Sequence, residues 1–339
     1  MGIIMDGNKI RAGRNKTTFL TDNEKLLYSK KLDMLTGKVD VKDITNKTIN
    51  QNLFEVLDYF PDRFVDLLFI DPPYNISKVF NTNAFVKIDN NAYKDYIDSW
   101  LLRMIRMLKP TASIYICGDW KSTSAIYEMM SKYFIVRNRI NWEREKGRGA
   151  NANWKNCTED IWFGTVSNNY YFNAEAVKMK RKVLAPYTDS KGLPKDWEKT
   201  AEGNFRITFP SNFWTDITVP YWSMPENTDH PAQKPEKLLA KIILASSKKG
   251  DFVFDPFLGS GTTSVVAKKL ERCYCGVELD KTYACLSEKR LNSVQDNSEI
   301  QGYYDGVFWE RNTLNKQSKS SQNGSKIKTK ADKKGLSFV

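Results

Sequence analysis

The stretch Val65-Asp66-Leu67-Leu68-Phe69-Ile70-Asp71-Pro72-Pro73-Tyr74 decides the reading of this chain. Its first six residues form an apolar run that predicts a buried strand. Two consecutive prolines then stop the strand and stiffen the backbone, because proline lacks the N–H donor and fixes its own φ. An acid, Asp71, and an aromatic, Tyr74, are thereby set at the strand's carboxyl end. In an open α/β sheet that edge is where ligands bind. Taken alone, the four residues also fit a rigid turn with no chemistry.

A second stretch changes that balance: Asp255-Pro256-Phe257-Leu258-Gly259-Ser260-Gly261-Thr262-Thr263. It lies between a short apolar segment (251–255), predicted as a strand, and a predicted helix (262–270). A strand, a glycine-rich turn and a helix make a nucleotide-type binding unit. Gly259 and Gly261 permit a tight turn and close backbone approach, and the helix N-terminus offers unpaired N–H groups. Glu278 closes the next predicted strand (273–278), where an acid can take both ribose hydroxyls of a nucleoside. A phosphate-binding loop would need a lysine after Gly261, and none is there. A dinucleotide fingerprint would need glycine or alanine where Ser264 stands. S-adenosyl-L-methionine has no phosphate and needs only the turn, the ribose acid and an apolar adenine slot, so it suits the sequence best.

Around these stretches the pattern alternates. Thr21-Asp22-Asn23-Glu24 has capping-box spacing and predicts a helix to about Lys31, in an N-terminal extension (1–45) with no assigned chemistry. Then follow a short strand (48–52), a brief helix (53–59), the strand that feeds Asp71, and a polar loop (75–91). A helix (92–108) is expected to end at Lys109-Pro110, followed by a strand (112–117), a helix (121–132) and two strands (135–142 and 159–165). This is the rhythm of βα units on a parallel sheet. Residues 147–157 break it with a glycine- and asparagine-rich loop holding Arg148 and Trp154, which is either a solvated loop or a flap over nucleic acid. Residues 166–228 read as an irregular insertion, rich in proline and aromatics, with basic residues at Lys178, Lys180, Arg181 and Lys182. The α/β pattern resumes at 229–297: a helix opened by Pro235, the strand before Asp255, the glycine turn and its helix, the strand ending at Glu278, and a last helix (281–295). Residues 298–339 read as a basic, low-complexity tail, with disorder or loose docking expected from 312 onward.

The 339 residues suffice for one large domain or two, and a formal charge of +12 favours a polyanionic partner. Much of that charge is in the tail: from Arg311 onward there are eight basic residues and one acid, Asp332. No apolar run approaches a membrane span, so no membrane partner is expected. No signal-peptide pattern opens the chain. The five cysteines read as reduced core residues of a cytoplasmic protein. Cys273-x-Cys275 lacks a second pair, and His230 is the only histidine, so no metal site is expected.

Together, Asp71-Pro72-Pro73-Tyr74 and the Asp255–Thr263 string resemble the catalytic and cofactor motifs of the bacterial DNA amino-methyltransferases, adenine-N6 or cytosine-N4 in type. Catalytic half (46–165), insertion (166–228) and cofactor half (229–297) come in the order of the permuted beta class, and Lys234-Pro235 with Leu238-Leu239 is similar to that class as well. The resemblance implies a circularly permuted, Rossmann-like α/β fold with a target-recognition insertion. It implies methyl transfer from S-adenosyl-L-methionine to an amino group of a base flipped from double-stranded DNA. Aspartate at position 71 favours adenine; cytosine-N4 relatives more often have serine there. Relatives of this kind are modification enzymes of restriction-modification systems, so a cognate restriction endonuclease and a second copy of the chain are candidate partners. A DNA-binding protein that has lost catalysis is the rival of a different class.

By position, the resemblance implies that Asp71 and the Pro72 carbonyl each accept a hydrogen bond from the target amino group, with Pro73 completing the motif, and that Tyr74 stacks on the base. Asp255, the Gly259-Ser260-Gly261 turn and Thr262 would hold the methionine end of the cofactor and Glu278 its ribose. Pro256, Phe257, and Lys234 with the helix that follows it would wall the pocket on the cofactor side, which Asp71 also faces. Asn52 stands where relatives usually carry an acid toward the adenine of the cofactor, so retained but weaker binding is expected. Arg148, Trp154, Lys180 and Arg181 are the expected DNA contacts.

Overall fold

The computed structural model describes residues 4–6, 9–80, 83–144, 151–184, 187–200 and 203–311. Its main sheet has eight strands: β1 (Lys47–Ile49), β2 (Val65–Ile70), β3 (Leu108–Gly118), β4 (Ile135–Glu143), β5 (Thr158–Thr165), β6 (Phe213–Trp214), β7 (Phe252–Asp255) and β8 (Cys273–Val277). They lie in the order β6-β4-β5-β3-β2-β7-β8-β1, and all neighbours are parallel except for the two pairings made by β5. Six helices matter here: α1 (Asp22–Ser29), α2 (Asn90–Met104), α3 (Thr123–Tyr133), α4 (Glu236–Ser246), α5 (Thr262–Lys269) and α6 (Lys281–Ser293).

Strand β2 is nearly all apolar because both of its faces are covered. Val65, Leu68 and Ile70 join a core with Trp100 and Leu101 of α2 and Ile126 of α3. Leu67 and Phe69 join the opposite core with Leu239 and Ile243 of α4 and Val266 of α5. The chain leaves β2 for β3 through α2 and leaves β7 for β8 through α5, in opposite directions from two adjacent strands. Such a reversal opens a crevice at the strands' carboxyl ends. Asp71 and Asp255 stand at that crevice.

Helix α1 has the capping box expected of Thr21 and Glu24. The expected strand at 48–52 is shorter: it ends at Ile49, and Asn52 caps a helix at Leu53–Val56. The loop at 75–91 contains a hairpin, Lys78–Phe80 with Asn83–Phe85. The helix expected to stop at Lys109-Pro110 ends at Met104, and β3 already begins at Leu108. The reason is a bulge. Val65 faces Leu108 but Leu67 faces Ser113, so residues 109–112 loop out of the ladder, where the missing N–H of Pro110 costs nothing.

The insertion is more regular than expected. Glu198–Thr200, Gly203–Thr208 and Met179–Lys182 form a second sheet, completed by Val307–Trp309 and Tyr303–Tyr304. Residues 303–309 thus belong to this sheet and not to a tail. Asp305 and Gly306, at φ 52° and 75°, form the two-residue hairpin turn that Asp-Gly favours. Phe308 is fully buried in the same core as Met179 and α4. Lys237 and Lys241 of α4 each bond Asp216 at 2.7 Å, and the Lys241 ammonium lies over the Trp214 and Phe308 rings. The segment from 312, where disorder or loose docking is expected, lies outside the described residues.

Candidate active site

The turn after β2 places Asp71 against groups from three other strands and loops. The Tyr74 hydroxyl is 2.8 Å from Asp71 Oδ1 and 2.5 Å from Glu159 Oε1. Lys234 Nζ, from the loop before α4, lies 2.6 Å from Asp71 Oδ2, 2.8 Å from Glu159 Oε1 and 3.2 Å from the Tyr74 oxygen. Arg144, just past β4, closes the group on Glu159 Oε2. Glu159 on β5 is 1% exposed at its side chain and Lys234 7%. Burial pushes Asp71 up, Lys234 pulls it back and Glu159 adds to the rise. Burial would also raise Glu159, but Lys234 and Arg144 hold it below the ordinary carboxylate value. The Pro73 carbonyl accepts from the Tyr93 hydroxyl at 3.0 Å, whereas the Pro72 carbonyl takes no hydrogen bond among the described residues.

A cavity of about 380 Å³ opens beside this group. Asn52, Asp71, Pro72, Pro73, Tyr74, Lys234, Pro256, Phe257, Gly259 and Glu278 line it, so the structure brings together residues predicted from both halves of the sequence. Glu278 accepts from the Gly259 and Asp280 N–H groups, each at 2.7 Å, and burial pushes its pKa up to about 7. Asn52 Oδ1 accepts from Phe54 N at 3.0 Å as a helix cap, so one of its acceptor sites is already used. His230 packs on Tyr283 and over Gly259, and burial pushes its pKa down to about 3, so it stays neutral.

Three predicted cofactor residues, Asp255, Ser260 and Thr262, line a smaller pocket of about 20 Å³ that adjoins the cavity at Asp71, Lys234 and Gly259, and Gly261 lines neither. Asp255 accepts from the Thr263 hydroxyl at 2.5 Å and from Phe257 N at 3.0 Å, and burial pushes its pKa up to about 7. The Ser260 carbonyl and the Thr262 hydroxyl accept from Arg290 of α6. Gly261 has φ +81°, and a Cβ there would come within 2.0 Å of Ser287 Oγ, so its close approach is to α6. Lys234 lines the cavity, but its ammonium serves Asp71 and Glu159.

Of the expected DNA contacts, Arg148 lies outside the described residues and Trp154 is almost fully exposed. Lys180 and Arg181 are half-buried on the second sheet. The Lys180 ammonium lies over the Phe205 and Trp309 rings, and Arg181 reaches Met179 Sδ. Sequence reasoning missed Glu159, Arg144 and Lys78 at the cavity; the available signal was an acid, Glu159, at the head of an apolar strand.

Comparison with known proteins shows the family. A family model described as DNA methylase, of the N6/N4 type, matches residues 65–289. This chain belongs to that family of DNA methyltransferases. It is 31% identical over 252 residues to the type II methyltransferase M.HpaI of Haemophilus parainfluenzae, covering 73% of this chain and 74% of that one. It is 34% identical over 249 residues to the DNA adenine methyltransferase YhdJ of Escherichia coli strain K12, covering 70% and 79%. The fold is similar to that of the cytosine-N4-specific PvuII DNA methyltransferase, with a TM-score of 0.53 at 16% identity over 74% of this chain and 92% of that one. The permuted, Rossmann-like fold expected from the motif order is thus the fold of this methyltransferase. Among the described residues, no helix is long and apolar enough to cross a membrane.

The methyl donor of the family is S-adenosyl-L-methionine, and the cavity of this methyltransferase fits it. The volume is that of a small-molecule site. Five acids (Asp71, Asp119, Glu159, Glu278, Asp280) and three bases (Lys78, Arg144, Lys234) line it, a surplus that favours a cationic sulfonium and disfavours phosphate. Leu53, Phe54, Pro256 and Phe257 give the lining an apolar part that would suit an adenine ring.

Proposed function

We propose that this methyltransferase modifies the N6 amino group of adenine in duplex DNA, as the modification enzyme of a restriction-modification system acting in the cytoplasm beside a cognate endonuclease. The observation that carries the reading is that the Asp71 carboxylate lines the cavity together with Pro72, whose carbonyl takes no hydrogen bond among the described residues. An exocyclic amine is a poor nucleophile because its lone pair is delocalised into the ring. Two acceptors, one on each N–H, favour a pyramidal nitrogen whose lone pair is free to attack. When bound, S-adenosyl-L-methionine would supply an electrophilic methyl group on a sulfonium: the N–CH3 bond forms as the S–CH3 bond breaks, S-adenosylhomocysteine leaves as the neutral thioether, and the methylated nitrogen gives up one N–H proton to water, with no covalent enzyme intermediate. Asp71 stabilises the positive charge that develops on nitrogen, and its own side chain is only 17% exposed, so the interaction is weakly screened.

The target amine is out of reach inside a duplex, so the base leaves the stack at a cost of a few kcal/mol. Stacking on the Tyr74 ring, held by its hydroxyl, offsets about 1–3 kcal/mol of that. In this reading Glu278 takes the ribose hydroxyls and Asn52 the cofactor adenine. The turn at Gly259, backed by Asp255, Ser260, Gly261 and Thr262, shapes the methionine end. The second sheet, with Lys180 and Arg181, and the loop with Arg148 and Trp154 read the DNA.

The test is to incubate unmethylated bacterial DNA with methyl-labelled S-adenosyl-L-methionine, digest it to nucleosides and identify the labelled one by mass spectrometry. N6-methyldeoxyadenosine is expected from the wild type and none from Asp71→Ala. Labelled N4-methyldeoxycytidine would replace adenine by cytosine as the target. Label that survives Asp71→Ala would remove Asp71 from the chemistry.

A further inference from the structure

The group behind Asp71 is built from four separate parts of the chain and contains two acids and two bases. Lys234 is shared between Asp71 and Glu159. Tyr74 is shared between the same two carboxylates. Both oxygens of Glu159 are engaged inside the protein, Oε1 by Lys234 and Tyr74 and Oε2 by Arg144. Among the described residues each oxygen of Asp71 has one partner, Tyr74 on Oδ1 and Lys234 on Oδ2, which leaves each a lone pair for a substrate N–H. Burying one carboxylate with one lysine would already be charge-neutral. A second buried carboxylate costs several kcal/mol of desolvation, and Arg144 is needed to balance it.

We infer that Glu159 and Lys234 are positioning residues of methyl transfer: Lys234 holds Asp71 ionised and aimed, and Glu159 offsets the lysine's charge so that the group as a whole stays negative toward the reacting amine. The inference rests on the reading of Asp71 as the acceptor of the target amino group. Without Lys234, the desolvated acid would protonate and become a donor on one oxygen. Without Glu159, an unshared ammonium would stand beside a nitrogen that is gaining positive charge. Glu159 Oε1 also lies 2.5 Å from the Tyr74 hydroxyl, a second acceptor for its one proton, which helps to fix the ring offered to the base.

The two residues push Asp71 in opposite directions, and that separates positioning from mere packing. The other ionisable groups that face Asp71 are Tyr74 on its own turn, Cys117 on β3, Arg144 after β4, Asp255 on β7, Lys78 in the hairpin and Tyr93 on α2. All are retained in the variants. Methyl transfer needs the ionised acid, so activity falls as pH drops through the Asp71 pKa. Removing Lys234 raises that pKa and moves the acid limb to higher pH; removing Glu159 lowers it and moves the limb to lower pH.

The experiment measures single-turnover methyl transfer against pH for the full-length wild type, Glu159→Gln, Lys234→Met, Lys234→Arg and Asp71→Asn. S-adenosylhomocysteine affinity, measured by calorimetry, is the check on folding. The expected result is an acid limb shifted up by about 1–3 pH units in Lys234→Met, largely restored in Lys234→Arg, and shifted down in Glu159→Gln with a lower plateau. Unmoved limbs in both variants, with loss only of rate or thermal stability, would overturn the inference and leave a structural ion pair. If Lys234→Met fails to bind S-adenosylhomocysteine, the isosteric Glu159→Gln decides alone: a downward shift supports the inference and an unmoved limb overturns it. Wild-type activity in Asp71→Asn would instead overturn the reading of Asp71 on which the inference rests.

Discussion

Glu278 shows how one residue can carry both a site and a pH dependence. It is half-buried on the cavity wall, its two oxygens accept from backbone N–H groups, and desolvation pushes its pKa up to about 7. A carboxylate whose folded pKa is raised favours the protonated form in the fold. Its stabilising contribution is therefore full below the unfolded value and is lost as pH rises toward about 7, and Asp255 has the same sign. Ribose hydroxyls that donate to Glu278 favour the ionised form, so binding releases a proton. Cofactor affinity should then rise between pH 6 and 7.5 and level off above. Replacing Glu278 by Gln should flatten that rise and cost about 1.5–3 kcal/mol at pH 8, the worth of hydrogen bonds to a charged group. Calorimetric titration with S-adenosylhomocysteine at several pH values reads both; an unchanged slope in the variant would place the ribose elsewhere. Asp71 and Glu278 were legible in the sequence because each ends an apolar strand. Glu159 and Lys234 were not legible as partners of Asp71, since nothing in their own neighbourhoods points at residue 71.

At the scale of elements, the turn between β7 and α5 is fixed from outside. Arg290 of α6 holds the Ser260 carbonyl and the Thr262 hydroxyl and pairs with Glu236 at the start of α4. Gly261 lets α6 approach, with positive φ and a Cβ position within 2.0 Å of Ser287 Oγ. Gly250 also has positive φ, but open space surrounds its Cβ position. Alanine at 250 should cost about 1 kcal/mol from the backbone alone, and alanine at 261 about 2–4 kcal/mol because overpacking adds to it. Urea denaturation of the two variants checks this, and equal losses would refute the packing role. Strands and helices with a clean apolar period, such as β2 and α4, were read correctly because period and burial agree. The β3 boundary was misread because its bulge is created by pairing with β2 and not by Lys109-Pro110 itself. The hairpin at 303–309 carried a readable Asp-Gly signal that was masked by the polar residues around it.

Across the whole molecule, the second sheet couples two distant segments. Met179 pairs with Phe308 and Lys180 with Trp309 in a parallel register, so the insertion is completed by residues that follow the methyltransferase core. Exchanging 166–228 alone with a relative of different target should leave that edge unpaired and the aromatic core open. Exchanging 166–228 together with 298–311 should preserve the fold and move the target. Protection of DNA from restriction endonucleases of known sequence, with S-adenosylhomocysteine binding as the fold control, distinguishes the two chimeras. A stable single-segment chimera with a new target would show that the C-terminal strands are dispensable for recognition.

The sequence by itself determined the local conformations and the chemistry of two short strings: a strand that stops at Asp-Pro-Pro-Tyr, and a strand, glycine turn and helix that suit a nucleoside without phosphate. Those features depend on side-chain period, proline and glycine, which act over a few residues. Only the tertiary structure decided that β2 and β7 lie side by side, with Leu67 against Val253 and Leu68 against Phe254, so that the two strings share one cavity. It alone placed Lys234 and Glu159 on Asp71 and assigned residues 303–309 to the second sheet. Charge pairing and strand pairing of that kind depend on which groups folding removes from water together, and that is settled by contacts between segments far apart in the chain.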